Sequence, residues 1–182
     1  MNLPNKLTTL RVCMIPFFVF FMLMPDIPYN YIIACVIFCL ASITDALDGH
    51  IARSRNLITN FGKFMDPLAD KLLVCSALIC FLKVPGNPMP AWVVIVIIAR
   101  EFIISGFRLV ASDAGVVIAA SYWGKVKTVT QMVMSILLIL NIDHPVVNVV
   151  ELVLIYLACL LTVISLVDYI AKNVNVLKED KK

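Results

Sequence analysis

The chain has 182 residues, 62% of them hydrophobic and only 15% charged, with a formal net charge of +3 and a mean hydropathy of +0.97. Soluble domains run at roughly 45–50% apolar and about 25% charged, so a water-soluble globule is excluded. The apolar runs are long and do not alternate with period two, which points to an all-α integral membrane protein of one domain and away from an outer-membrane barrel.

Six transmembrane helices are predicted, roughly at 9–25, 30–53, 61–83, 89–111, 122–142 and 145–171. Ahead of the first, NLPNKLTTL reads as a short interfacial segment over about residues 1–8. Lys6 and Arg11 before VCMIPFFVFFMLM imitate a signal peptide, but no small-x-small cleavage site follows, so a retained first span is expected. Pro25 and Pro28 part the first two spans, SRNLITN joins the next two, VPGNPMP is a turn, and NIDHP separates the last pair. The membrane domain is expected over 1–172, followed by a polar cytoplasmic tail over 173–182. With the N-terminus in the cytoplasm, every Lys and Arg except Lys83 falls on or near the cytoplasmic side, so both termini are expected there. The positive balance suits anionic lipid, and no nucleic-acid partner is expected. Cys13, Cys35, Cys39, Cys75, Cys80 and Cys159 all fall inside predicted spans without CxxC or ligand spacing. They read as buried small hydrophobes.

The chemistry concentrates between the second and third spans, in TDALDGHIARSRNLITNFGKFMDPLADK. Its fixed positions are Asp45, Asp48, Gly49, Ala52, Arg53, Gly62, Asp66 and Asp70. Asp45 and Asp48 are spaced i,i+3, and Asp66 and Asp70 i,i+4, so each pair shares one helical face. A short connection makes the two helices antiparallel neighbours. Asp45 stands eight residues before Arg53, about 12 Å of helix, and Asp70 lies at a comparable depth on the other arm. Four bare carboxylates together repel and take up protons. One or two Mg2+ or Mn2+ ions would cancel that charge and bind phosphate oxygens as well. Gly49 and Gly62 each cost about 1 kcal/mol against Ala inside a helix, which a substrate pressed against the helix explains. Ala52 keeps the same wall low, and Arg53 can grip a phosphate bidentately. Aspartates can also line a cation path or pair with Arg, so a cation or phosphate transporter and a structural subunit stay open at this point. The eight-position pattern arises by chance on the order of once in 10^9–10^10 starting points.

That run resembles the signature of the CDP-alcohol phosphatidyltransferases at all eight positions. The motif covers 26 residues, and the six-span plan extends the likeness across most of the chain. The resemblance implies displacement of CMP from a CDP-linked lipid by an alcohol. It implies a homodimer in the cytoplasmic membrane, in contact with membrane lipid, with the active site facing the cytoplasm. By the same resemblance Asp45, Asp48 and Asp66 are principal metal ligands, and Asp70 is general base and further ligand. The cofactor is Mg2+ or Mn2+, expected as two ions. Gly49, Ala52, Arg53 and Gly62 correspond to the wall that binds the nucleotide. Asn5, Thr8 and Arg11, spaced by three on one helix face, are candidates for holding the lipid's pyrophosphate or the acceptor at the cytoplasmic rim.

The remaining charges bear on the acceptor. Arg100 and Arg108 in AREFIISGFR, with Lys125 and Lys127 in WGKVKTVTQ, are candidates for a basic pocket around an acceptor phosphate. The competing readings are snorkelling to headgroups and, for Arg100, a structural ion pair with Glu101. The stretches NLPNKLTTLR, AREFIISGFR and WGKVKTVTQ resemble the glycerol-3-phosphate branch of the family. That implies CDP-diacylglycerol as donor and glycerol 3-phosphate as acceptor, with inositol 1-phosphate as the runner-up. Thr44 and Gln131 are further residues that can line the site. His50 occupies a variable position of the motif, His144 is assigned no role, and Trp92 and Trp123 read as interface anchors.

Overall fold

The computed structural model describes the backbone of residues 3–54, 60–113, 118 and 121–174, and the side chains of 6–44, 65, 68, 69, 71–111, 118 and 121–174. Among these residues the regular structure is helical throughout, with no strand. The helices are α1 (Leu3–Leu23), α2 (Asn30–Ser54), α3 (Asn60–Phe81), α4 (Ala91–Asp113), α5 (Tyr122–Leu140) and α6 (Pro145–Asn173). Five agree with the predicted spans to within a few residues. The sixth, α1, starts six residues early, at Leu3 in place of residue 9. Pro4 is tolerated in a first turn, where its missing N–H has no helical partner to lose. The helix then continues because Thr8 and Arg11, both 0% exposed, pack inward.

Local chemistry sets the helix ends. Tyr29, Gly86 and Asn141 take positive φ of 60°, 80° and 46° within the α1–α2, α3–α4 and α5–α6 connections. Glycine and asparagine tolerate that region; Tyr29 sits there beside Pro28. Ser121 caps α5: its Oγ accepts from Gly124 N at 3.1 Å and its carbonyl from Lys125 N at 3.2 Å. His144 caps α6 through Nδ1, which accepts from Val146 N at 3.3 Å, with Pro145 in the first turn.

Among the described residues three helices are long and apolar enough to cross a membrane, with windows at Lys6–Leu23, Tyr122–Leu140 and Pro145–Asn173. Helix α4 has the length but carries Arg100, Glu101 and Arg108 within its run. Phe17, Ile95, Leu109, Val129, Val146 and Leu160 are among many large apolar side chains left exposed. In water that surface would drive aggregation; in a bilayer it is solvated by acyl chains.

The chain divides into two compact units. The first is Met1–Asn87 with Ser135–Ile142; the second is Pro88–Met134 with Asp143–Lys182. In the first, α1 packs on both α2 and α3. Its core is Ile15, Phe18 and Met22 from α1, Ala34, Phe38 and Ala41 from α2, and Ala69, Leu73 and Ala77 from α3. The alanines let the helix backbones approach closely, and the Phe18 and Phe38 rings meet at 5.7 Å between centroids. Asn30 Nδ2 donates to the Phe21 carbonyl at 3.1 Å, tying the α1–α2 turn. In the second unit α4 packs on α6. The inward seam of α6 runs through Ile155, Ala158, Thr162, Ser165 and Tyr169. Thr162 Oγ1 donates to the Ala158 carbonyl at 2.6 Å and Ser165 Oγ to the Thr162 carbonyl at 2.9 Å, so neither hydroxyl is left unsatisfied in apolar surroundings. Of the six cysteines expected to be buried, Cys80 and Cys159 are; Cys35, Cys39 and Cys75 are half-buried, and Cys13 is exposed on α1.

Phe18 is 0% exposed and its neighbour Phe17 is 60% exposed. Phe18→Ala should therefore cost about 3–5 kcal/mol and Phe17→Ala well under half of that, measured by reversible unfolding in mixed micelles. Equal losses at the two positions would contradict this packing.

Candidate functional site

The carboxylate hairpin is positioned by helix register. On α2 the buried stripe Ala34, Phe38, Ala41 advances by four and three residues, and positions 45 and 48 continue it. On α3 the buried stripe is Ala69, Leu73, Ala77; position 66 lies three residues before Ala69 and position 70 three before Leu73. These are relations of sequence spacing along the two helices. The side chains of Asn5, Asp45, Asp48, Gly49, Ala52, Arg53, Gly62, Asp66 and Asp70 lie outside the described residues, as does that of His50. The donor set at these four positions is all carboxylate oxygen, which fits a hard divalent cation such as Mg2+ or Mn2+ and not a thiolate- or imidazole-seeking metal.

Arg11 meets α2 immediately before this hairpin. Its Nε donates to the Ala41 carbonyl at 3.2 Å, and Thr44 Oγ1 donates to the same oxygen at 2.7 Å. Ala41 is four residues, one helical turn, ahead of Asp45. Thr8 and Arg11, expected at an accessible rim, are both fully buried. Arg11 therefore spans from α1 to α2 with its guanidinium inside the unit. Such a charge is held only where dipoles and opposite charges surround it.

The second unit contains a polar knot. Arg100 Nε donates to Ser165 Oγ at 3.2 Å and Arg100 Nη1 to Glu101 Oε1 at 3.1 Å. Lys127 Nζ binds the same Glu101 oxygen. One carboxylate oxygen thus serves two cations, and α4, α5 and α6 all contribute. Lys127 is 3% exposed and Arg100 8%. Gly124 lies against the Arg100 guanidinium: a Cβ there would stand 3.5 Å from Nη2. Of the four cations expected around an acceptor phosphate, Arg100 and Lys127 are brought together. Arg108 is exposed two turns along α4, with its guanidinium carbon 5.7 Å from the centroid of the Tyr169 ring, a cation–π distance. Phe107 supports that ring edge-on at 5.6 Å. Lys125 is exposed.

Ser165, Tyr169 and the shared role of Glu101 escaped the sequence reading. The signal for the first two was present: Thr162, Ser165 and Tyr169 recur at helical spacing on one face of an otherwise apolar helix. Trp92 and Trp123 stand in the first turns of α4 and α5, both exposed.

Likeness to known proteins bears on what this arrangement does. A family model described as CDP-alcohol phosphatidyltransferase matches residues 1–164. The chain is 44% identical over 191 aligned positions to a CDP-diacylglycerol–glycerol-3-phosphate 3-phosphatidyltransferase of Bacillus subtilis (strain 168), covering 97% of each chain. It is 37% identical to proteins of the same name from Haemophilus influenzae, covering 93% of this chain and 91% of the relative, and from Rickettsia bellii, covering 92% and 93%.

The knot makes a stability prediction of its own. Glu101→Gln leaves two buried cations facing each other and should cost about 3 kcal/mol. Lys127→Met should cost less, because Arg100 still neutralises Glu101, and the double variant should recover part of the Glu101→Gln loss. Unfolding in detergent measures all three; strictly additive losses would exclude a shared counter-ion.

Proposed function

The chain belongs to the CDP-alcohol phosphatidyltransferase family, and we propose that it transfers the phosphatidyl group of CDP-diacylglycerol to a hydroxyl of glycerol 3-phosphate. The products are phosphatidylglycerophosphate and CMP. The observation that carries this reading is near-full-length similarity, at 37–44% identity, to relatives named for that reaction.

The acceptor hydroxyl attacks the phosphorus that bears diacylglycerol. The bond from that phosphorus to the CMP oxygen breaks, and the hydroxyl proton passes to a base. Asp70 is that base, taking the proton as the new P–O bond forms. Asp45, Asp48, Asp66 and Asp70 would hold two Mg2+ or Mn2+ ions, which when bound neutralise the pyrophosphate and the charge left on CMP. Gly49, Ala52 and Gly62 keep the helix surfaces low against the nucleotide, and Arg53 pairs with phosphate oxygens. Asn5, Thr8 and Arg11 stabilise the donor end, Arg11 through the backbone of α2. Arg100, Lys127, Arg108 and Lys125 supply positive charge for the acceptor's own phosphate. The excess of cations over carboxylates around Glu101 supports that role.

All six helices cross the membrane, with both termini and the reaction on the cytoplasmic side of the cytoplasmic membrane; the Lys and Arg distribution supports this orientation. Membrane lipid covers the apolar faces, and two copies associate as a homodimer. Metal-dependent turnover of a CDP-lipid separates this reading from a transporter, which would release no CMP.

CMP release by purified protein with CDP-diacylglycerol, Mg2+ and glycerol 3-phosphate tests the proposal. Activity should fall to background on chelation and by about 10^2- to 10^4-fold in Asp70→Asn. Release with inositol 1-phosphate and not with glycerol 3-phosphate would overturn the acceptor. No release with either would overturn the reaction.

A further inference from the structure

Gln131 lies on α5, four residues beyond Lys127 and so on the same face, about 6 Å further along the axis. It is 4% exposed. Its amide oxygen is closed off from solvent and has no hydrogen-bond partner. An unsatisfied amide is costly to bury, and α5 is otherwise apolar enough to place Leu or Ile at such a position. The turn before it carries Lys127, 3% exposed and bound to the Glu101 oxygen that Arg100 also shares. Lys127, Arg100 and the partnerless amide oxygen of Gln131 lie on one polar strip of the second unit, with two buried cations at one end and the amide at the other.

We propose that Gln131 is a specificity-determining residue for the acceptor. Its amide binds the middle hydroxyl of glycerol 3-phosphate, the one that does not react, while the phosphate lies with Lys127 and Arg100. This deepens the proposed function and rests on it. The middle hydroxyl is carried on the carbon next to the one bearing phosphate, and one helical turn separates the residues that would hold the two groups. A hydroxyl both donates and accepts, so it satisfies the amide in either orientation of its oxygen and nitrogen. A site that offers a buried polar group to a substrate hydroxyl rejects the analogue without it, because the site's group is then left unpaired.

The test compares glycerol 3-phosphate with 3-hydroxypropyl phosphate, which keeps the reacting hydroxyl and the phosphate and lacks the middle hydroxyl. CMP release is measured for the wild type, Gln131→Leu and the more flexible Gln131→Met, with thermal unfolding as a check on folding. The wild type should prefer glycerol 3-phosphate in kcat/KM by about 10- to 100-fold. In a folded variant the preference should collapse to within about threefold, through a raised KM for glycerol 3-phosphate and an unchanged KM for CDP-diacylglycerol. Unfolding temperature should hold or rise, since an unsatisfied group has been removed. A merely structural glutamine would lower stability and leave the ratio of the two acceptors where it was. A wild type without preference, or variants that keep it, overturns the inference alone. A wild type that releases CMP with neither phosphate overturns the underlying reading and the inference with it.

Discussion

Charge inside an apolar helical protein must be met by opposite charge or by aligned dipoles, because no water is present to screen it. Both units are organised around that demand. In the first, the Arg11 guanidinium reaches a backbone carbonyl of α2, and the helices close over it with alanines at the contact. In the second, Glu101 draws a guanidinium and an ammonium to a single oxygen, and Ser165 on α6 takes another edge of Arg100. Helices of this polarity hold together only when these groups find one another.

The same demand distinguishes the two units. The aspartates at 45, 48, 66 and 70 of the first unit are hard oxygen donors of the kind divalent cations take. Around Glu101 the described charges lean the other way. Two cations, Arg100 and Lys127, meet one oxygen of that carboxylate.

Most of the secondary structure was legible because long apolar runs end in residues that cannot continue a helix. VPGNPMP turns at Gly86, and NIDHP ends α5 at Asn141 and caps α6 with His144. The family was legible because its signature is local, eight positions inside one hairpin, and local spacing survives without knowledge of packing. The burial of the start of α1 was not: Thr8 and Arg11 read as rim residues until α2 and α3 are present to bury them. Among the cations, Arg100, Arg108, Lys125 and Lys127 looked equivalent in the sequence. Burial separates them: two are drawn into the knot, one is stacked on Tyr169 and one is left exposed.

The amino-acid sequence by itself determined the apolar character of the chain, the helical class, the helix boundaries to within a few residues at most ends, and the family signature of the aspartate hairpin. Each of these depends on residues close together in the chain. Tertiary structure alone decided which charges meet. Lys127 is 26 residues from Glu101, Arg11 is 30 from Ala41, and Arg100 is 65 from Ser165. Periodicity says which face of a helix is polar, but a charge's partner is set by the helix packed against that face, and no local pattern in the chain encodes it.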